Sequence, residues 1–330
     1  MERRGRVDQS MQVLITGAWG FVGGRLAQRL ADKGHSIILG SRNPVRAHDW
    51  CSNATVATLD WECESSLKEA CRGVDAIIHT AGMNAQDCMS HPAAALQING
   101  VNTARLIEAA VQAGVRRVLY LSTAHVYASP LAGQISETAW PRNLHPYATS
   151  HLAGENVVLQ SAQRQGIDGV VLRLSNAFGA PAHRDVNCWM LLVNDLCRQA
   201  VETRQMRLMT SGAQQRNFIP LGSVCQFTER LLDVNLKMQT ARVLNVGAEN
   251  SRSVMEMARA IQARCHVVLG YVPELKIPSE AEGSQQGELR YLIDDALDLV
   301  GPIAFDYCHE IDELLRFSQR NFGVHQATLQ

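Results

Sequence analysis

The sequence predicts an α/β fold in which a doubly wound, mostly parallel sheet is joined to a smaller C-terminal α/β lobe. Two observations predict it. Through the first 174 residues, apolar runs alternate with amphipathic stretches; after residue 175 the pattern becomes less regular, and the loops are rich in Gly, Ser and Gln. Strands that alternate with helices at this interval are typical of βαβ units, whose strands pair in parallel. The chain of 330 residues is long enough for one large domain or two moderate ones.

Each element follows from the local apolar pattern. The predicted strands are 12–16, 36–39, 55–59, 75–79, 117–122 and 169–174. The predicted helices are 21–33, 65–72, 94–113 and 147 to about 165. Gly34, Gly73 and Gly114 directly follow three of these helices. Glycine there predicts the helix ends, because it adopts left-handed backbone angles without a steric penalty.

The composition is that of an ordinary soluble globular protein, with 46% hydrophobic residues, 19% charged residues and a formal net charge of -1. Basic residues form only short local pairs, so nothing indicates a nucleic-acid surface. No window approaches the ~18 apolar residues needed to cross a bilayer, so no membrane partner is predicted. Residues 1–10 (MERRGRVDQS) are polar and are predicted to form a flexible tail.

The nine cysteines are scattered and form no C-x-x-C pair, which is typical of reduced thiols and predicts a cytoplasmic protein. A cysteine nucleophile stays open, although small buried core residues are the more common role. The eleven histidines are also dispersed, without an H-E-x-x-H motif, so no metal is predicted.

The first motif that carries chemistry lies between the first strand and the first helix, in the sequence TGAWGFVG at 16–23. Its glycine spacing lets the backbone turn tightly and approach a pyrophosphate, which then lies at the helix N-terminus. A glycine-rich turn without a ligand is the alternative interpretation. The predicted cofactor residues of this turn are Gly17, Trp19, Gly20, Phe21, Val22 and Gly23.

The end of the second strand favours NADP as the cofactor, with NAD as the other possibility. An NAD site usually places Asp or Glu there to bind the ribose hydroxyls. This chain instead has Ser41 and Arg42, and a guanidinium suits a 2′-phosphate, although Arg42 could also be a solvated surface residue. After the third strand, Asp60 is a candidate partner of the adenine amine or a cap of the following segment, and the neighbouring Trp61 is included in the predicted site.

Further motifs follow in order along nearly the whole chain. They are HTAG at 79–82, INGVNTARLIEAA at 98–110, LSTAHVY at 121–127, PYATSHLAGE at 146–155, RLSNAFGAP at 173–181, SGAQQRNFI at 211–219 and LNVGAENSRSVMEMA at 244–258. Together with TGAWGFVG they resemble the extended short-chain dehydrogenase/reductases of the NAD-dependent epimerase/dehydratase type, which include nucleotide-sugar epimerases. The resemblance implies a Rossmann-type sheet.

By this resemblance, residues 11–174 form a dinucleotide-binding domain, the chain returns to it around 217–246, and 175–330 form mostly a substrate-binding lobe. It also implies cofactor contacts from further residues. They are Thr80, Ala81, Gly82, Asn99, Ser122, Tyr147 and His151.

The resemblance implies three catalytic positions. Thr123 matches the family's hydroxyl residue, which hydrogen-bonds the reacting carbonyl or alcohol, and Tyr147 matches the tyrosine that donates or accepts the proton. The family lysine falls on His151. Histidine, with an ordinary pKa of about 6.5, gives tyrosinate weaker and pH-dependent support than lysine does. A reductase begins with neutral Tyr147, so the substitution fits reduction better than alcohol oxidation.

For the substrate, the resemblance implies that Arg216 binds a diphosphate, that Asn176 contacts the substrate, and that Arg290 matches a second family arginine. Family dehydratases carry an Asp-Glu pair where this chain has Ala124 and His125, so a 4,6-dehydratase is disfavoured. His125 is either a proton donor or a polar residue that lines the pocket.

The sequence therefore predicts an NAD(P)-dependent enzyme that reduces or epimerises a nucleotide-linked ketosugar. Two alternatives stay open: a cofactor-binding protein with little catalysis and a regulatory role, and a reductase of a non-nucleotide carbonyl compound. The Tyr147–His151 pair could also be only structural. A homodimer through helices 94–113 and 147–165 is implied by the resemblance, although their apolar faces would also arise from packing within one chain.

Overall fold

The computed structural model describes residues 10–43, 49–164, 166–234, 240–278 and 287–323. The strands are β1 (Gln12–Thr16), β2 (Ser36–Ser41), β3 (Thr55–Thr58), β4 (Ala76–His79), β5 (Arg117–Thr123), β6 (Gly133–Ile135), β7 (Asp168–Leu174), β8 (Asn176–Phe178), β9 (Gln205–Arg207), β10 (Gln215–Arg216), β11 (Phe218–Pro220), β12 (Ala241–Val246), β13 (Arg252–Ser253), β14 (Glu274–Lys276) and β15 (Leu289–Tyr291). The predicted tail, apart from residue 10, lies outside the described residues.

The α-helices are α1 (Phe21–Asp32), α2 (Glu64–Ala70), α3 (Ala85–Ser90), α4 (Pro92–Ala95), α5 (Asn102–Ala113), α6 (Pro146–Arg164), α7 (Leu192–Thr203), α8 (Leu221–Asp233), α9 (Val254–Leu269), α10 (Asp294–Val300) and α11 (Tyr307–Phe322). A π-helical segment, Leu96–Val101, joins α4 to α5, and short 3₁₀ turns lie at Asp49–Cys51 and Ala124–Val126.

Seven strands form one parallel sheet in the order β12-β7-β5-β4-β1-β2-β3. The strand order reverses between β1 and β4, because β1 leads to β2 on one side while β4 lies on the other. Helices cover the sheet, and the strand interiors are apolar as a doubly covered parallel sheet requires. The predicted doubly wound parallel sheet is confirmed.

The second half of the chain contributes both to this sheet and to a separate core. β12 pairs in parallel with β7 over six residues at the edge of the sheet. A second apolar cluster forms where α7, α9 and α11 pack together, with Leu196, Ile261 and Leu314 fully buried in it. The division of the chain at residue 174 stays a prediction.

The predicted helix 94–113 differs from the structure, which begins it at Pro92 and inserts the π-helical segment. A π-helical turn is wider than an α-helical turn, and such turns are frequent at functional sites. Here it places Asn99 in the buried interior and brings Gly100 close to α6, where an added Cβ would lie 3.3 Å from the Ala153 Cβ. The helix ends at Gly114 as predicted, with a φ of +77°.

Candidate active site

A cleft of about 920 Å³ opens at the carboxyl ends of β1, β2 and β4, where the strand order reverses. In open α/β sheets, ligands bind in the crevice at this switch point. Ten of the predicted cofactor residues line the cleft. They are Gly17, Trp19, Gly20, Phe21, Ser41, Arg42, Trp61, Thr80, Ala81 and Gly82.

The glycine-rich turn after β1 is packed so tightly at Gly17 and Gly23 that these two positions have no room for a side chain. Gly17 has a φ of +68°, and a Cβ there would lie 2.7 Å from the Ala81 nitrogen. Gly23 does not line the cleft; a Cβ on it would lie 2.7 Å from the Thr80 Oγ1. The first turn of α1 follows directly, and its N–H groups have no partner within the helix, which suits an anion. This cradle therefore fits a dinucleotide pyrophosphate.

At the far end of the cleft, Ser41 and Arg42 lie where β2 ends, and the Ser41 hydroxyl accepts a hydrogen bond from the Asn43 nitrogen at 3.2 Å. Asp60 requires a correction because it does not line the cleft. Its carboxylate accepts a hydrogen bond from the Glu62 nitrogen at 3.0 Å, which is the capping role that the sequence also allowed. Glu62 lines the cleft instead and forms a 2.6 Å ion pair with Arg105.

The sequence analysis did not predict two groups of residues that line the cleft. One group lies beside or within the predicted motifs, and the other forms a wall from a distant part of the chain. The missed lining residues include Glu62, His79, Met83, Asn84, Asp87 and the segment 185–187. Trp50 connects the two sides, since it packs edge-on against Trp19 at 6.3 Å and stacks on His183 at 5.6 Å, both measured between ring centroids. No local pattern could place 183–187 beside the first β-turn, because the two are more than 150 residues apart.

A second pocket of about 320 Å³ adjoins the cleft at Phe21, which lines both. Thr123, Tyr147, Asn176 and Arg216 line this pocket, so two catalytic and two substrate predictions meet there. Its other lining residues include Val22 and Ser122, which were predicted at the cofactor, and His125. Polar groups that converge in a small pocket beside a larger cleft are typical of a substrate site next to a cofactor site.

Tyr147 and Thr123 both line this pocket. Tyr147 lies at the start of α6 and Thr123 at the end of β5. Burial raises the pKa of Tyr147 above its ordinary value, and the neighbouring Thr123 hydroxyl opposes that rise only in part. Tyr147 is therefore a neutral phenol near pH 7 that can donate a proton.

His151, predicted at the catalytic and cofactor sites, lies one turn after Tyr147 but lines neither pocket. The two rings meet edge to face with centroids 4.6 Å apart. The imidazole is buried, and burial lowers the pKa of His151 to about 4. At neutral pH His151 is uncharged and cannot stabilise tyrosinate as a cation would. The sequence led us to expect that protonated His151 stabilises tyrosinate. With this lowered pKa, His151 is protonated only at acid pH, below the range in which histidine normally titrates.

Three further predicted residues do not line the cofactor cleft or, for Arg290, the substrate pocket, although Ser122 does line the second pocket. The Asn99 side chain accepts from the Met83 nitrogen at 2.9 Å and donates to the Ser150 hydroxyl at 2.9 Å. The Ser122 hydroxyl donates to Glu155 at 2.5 Å, and Arg290 is exposed on β15 and lines neither pocket. In each case the side chain follows a long-range partner or the strand register, neither of which local sequence shows.

Within the described ranges, no three His, Cys, Asp or Glu side chains are grouped so that they could hold a metal ion. Across the same ranges, no helix has the length and apolar character needed to cross a membrane. Seven of the nine cysteines are buried, and all nine are free thiols.

Known proteins with similar sequences include enzymes that are named for UDP-sugars. The chain is 25% identical over 288 residues to UDP-glucuronic acid decarboxylase 1 of Xenopus tropicalis, which covers 83% of this chain and 64% of the relative. It is 30% identical over 178 residues to UDP-glucose 4-epimerase of Streptococcus mutans, which covers 52% of this chain and 53% of the relative.

Among solved structures, MoeE5 in complex with UDP-glucose and NAD superimposes with a TM-score of 0.77 at 24% identity, over 94% of this chain and 99% of that chain. This likeness shows the fold. The profile of the NAD dependent epimerase/dehydratase family matches residues 13–247, which is well over half of the chain. With a glycine cradle at the switch point and a Thr–Tyr pair beside it, the chain belongs to the NAD-dependent epimerase/dehydratase family.

Proposed function

We propose that this protein is an NAD(P)-dependent oxidoreductase that reduces or epimerises a nucleotide-linked ketosugar. The observation that carries the proposal is that Thr123 and Tyr147 both line the smaller polar pocket, which adjoins the dinucleotide-sized cleft. A hydride donor in the cleft and a carbonyl in the pocket would meet at this pair. The bound nicotinamide supplies or accepts the hydride.

The residues of the chain supply the proton and the position of the substrate. Neutral Tyr147 donates its phenolic proton to the carbonyl oxygen, while the Thr123 hydroxyl holds that oxygen in place. Because uncharged His151 gives tyrosinate no electrostatic support, the reductive direction, which starts from neutral Tyr147, fits this site better than alcohol oxidation.

Arg216 is the group that supports a nucleotide-sugar substrate. It lies on β10, and its guanidinium is held by two hydrogen bonds to the Gln214 Oε1, from Nη2 at 2.8 Å and from Nε at 3.2 Å. A fixed, partly buried guanidinium in the pocket suits a diphosphate. UDP-sugars are named for the relatives and for the MoeE5 complex, and we propose the same substrate class here.

Replacing Arg216 with Met should raise the KM for a UDP-sugar by about 10- to 100-fold, the size expected for a lost charge-assisted hydrogen bond. Arg290→Met is the matched control, because Arg290 is exposed and lies outside the pocket. Steady-state kinetics with a UDP-ketosugar measure both. An unchanged KM in Arg216→Met would instead support a non-nucleotide carbonyl substrate.

We further propose NADP as the preferred cofactor, on the chemistry of Ser41 and Arg42 in the cleft. Arg42→Ala should weaken NADPH binding by about 10-fold or more and leave NADH binding nearly unchanged, because only NADPH carries the 2′-phosphate. Fluorescence titration with both cofactors measures this, with the exposed Arg72→Ala as control. Equal losses for both cofactors, or tighter binding of NADH by the unmodified protein, would contradict the preference.

A cofactor-binding protein without turnover is the second candidate function, favoured by the histidine at position 151. It predicts tight cofactor binding and no turnover, even in His151→Lys. Turnover of any ketosugar nucleotide by the unmodified protein would exclude it.

Assembly and location are also proposals. We propose a cytoplasmic homodimer formed through α6 and the helical segment 92–113, where Leu96 and Val101 expose 49% and 43% of their surfaces. Sedimentation equilibrium of the unmodified protein tests the dimer.

A further inference from the structure

We propose that Tyr120 fixes the tautomer of His151, so that Nδ1 accepts a hydrogen bond and Nε2, on the side of Gly82, carries the proton. Position 151 then presents a neutral hydrogen-bond donor of fixed orientation. That this donor reaches a cofactor hydroxyl rests on the proposed function, whereas the tautomer does not.

The two side chains are in direct contact inside the protein. Tyr120 lies on β5 and His151 on α6, and their exposed fractions are 1% and 6%. The Tyr120 hydroxyl lies 3.0 Å from the His151 Nδ1. Since Nδ1 is buried beside this hydroxyl, Tyr120 is the group that determines whether Nδ1 carries a proton.

The Tyr120 hydroxyl has a proton to give. Burial raises the pKa of Tyr120 well above its ordinary value, and the nearby Glu155 carboxylate adds to the rise. The His151 carbonyl is a poorer acceptor, because it lies 3.5 Å away and belongs to the hydrogen-bond ladder of α6. The bond to Nδ1 is therefore the best that the Tyr120 proton can make.

Thr103, another hydroxyl near Tyr120, already donates its proton elsewhere. Its proton is donated to the Asn99 carbonyl at 2.7 Å, so Thr103 cannot donate to Tyr120. Its oxygen lies 3.0 Å from the His79 Nε2, which must donate in that contact. Thr103 can therefore offer Tyr120 an acceptor oxygen but no proton.

The other edge of the His151 ring lies beside Gly82, which lines the cleft, although His151 itself lines neither pocket. A Cβ built on Gly82 would lie 3.3 Å from the Asn99 Oδ1, and 3.6 Å from Cε1 and 3.8 Å from Nε2 of His151. No side chain at position 82 separates the ring from the cleft. The proton that Tyr120 excludes from Nδ1 is therefore carried by the nitrogen on the side of Gly82.

The surroundings keep this donor uncharged near neutral pH. Burial lowers the pKa of His151 to about 4 and that of His79 to about 3. Burial also raises the pKa of Tyr147, and of the Cys88 thiol on α3, so both stay protonated. The nearby Glu155 carboxylate is neutralised by its ion pair with Arg173 at 2.6 Å.

The test is long-range ¹H–¹⁵N correlation of ¹⁵N-histidine-labelled protein without cofactor at pH 7, with His151→Gln to assign the signals. We expect a neutral His151 ring protonated at Nε2. A ring protonated at Nδ1, or a charged ring, would overturn the proposal. This measurement needs neither turnover nor cofactor, so it fails or succeeds independently of the proposed function.

A second measurement tests the consequence. Without the Tyr120 hydroxyl, His151 should no longer be held in one tautomer. Tyr120→Phe should therefore weaken NAD(P)H binding by about 3- to 10-fold, the effect of losing one neutral hydrogen bond. Tyr271→Phe is the matched control, because that hydroxyl bonds the Ala200 carbonyl in the other lobe. If the protein binds cofactor and the two variants bind it equally, the proposal fails. If it binds no cofactor at all, the proposed function fails while the tautomer stands.

Discussion

Tyr147→Phe should reduce turnover by about 10²- to 10⁴-fold, the range expected when a general acid is removed. The change deletes one oxygen from a ring that packs edge-on against His151, so the fold and the cofactor cleft should be preserved. Turnover of a UDP-ketosugar measures the loss, and fluorescence titration checks that cofactor affinity stays within about twofold. The expected result is thus a loss of kcat rather than of binding.

Tyr271→Phe serves as the control for Tyr147→Phe, since its hydroxyl lies outside both pockets. A Tyr147→Phe protein that keeps a third or more of its activity would show that another group donates the proton. His125 would then be the first candidate, because it lines the same pocket.

Glu155→Ala should lower the free energy of unfolding by about 3–5 kcal/mol, because it leaves the buried Arg173 guanidinium without its partner. Both residues are buried, and Arg173 donates to the Glu155 carboxylate from Nε at 3.0 Å and from Nη2 at 2.6 Å. Ser122 donates to the same carboxylate, so the pair also joins α6 to β5 beside Thr123. Urea denaturation monitored by circular dichroism measures the change.

The matched control is Glu313→Ala, which breaks an exposed 2.7 Å ion pair with Arg316 and should cost less than about 1 kcal/mol. The double variant Glu155→Ala/Arg173→Met should recover part of the stability, because it removes the unpaired charge as well. Equal losses for the buried and exposed pairs would contradict the role given to burial.

Features that depend on a few neighbouring residues were predictable. The strands around the glycine turn, the turn itself and the helix end at Gly114 depend on local apolar periodicity and on backbone angles that glycine adopts readily. The placement of Thr123 and Tyr147 in one pocket followed from the resemblance, since their positions are set by the end of β5 and the start of α6. These are the parts of the candidate site that the structure brings together.

Hydrogen-bond partners distant in sequence were not predictable. Ser122 belongs to a correctly located motif, but its hydroxyl donates to Glu155, 33 residues away. Arg290 was placed by analogy, and the pairing of β15 with β6 leaves it exposed. A motif locates a residue along the chain, but it does not specify which neighbouring group its side chain contacts.

By itself, the sequence determined the α/β class, the parallel sheet, the glycine cradle and the substitution of histidine for the family lysine. Only the tertiary structure decided the hydrogen-bond partner and the charge of that histidine. Tyr120 and His151 are 31 residues apart, and they meet because β5 and α6 pack together. Burial there makes His151 a neutral group, because the interior disfavours its charged form, and no local sequence pattern reports how much water a side chain loses.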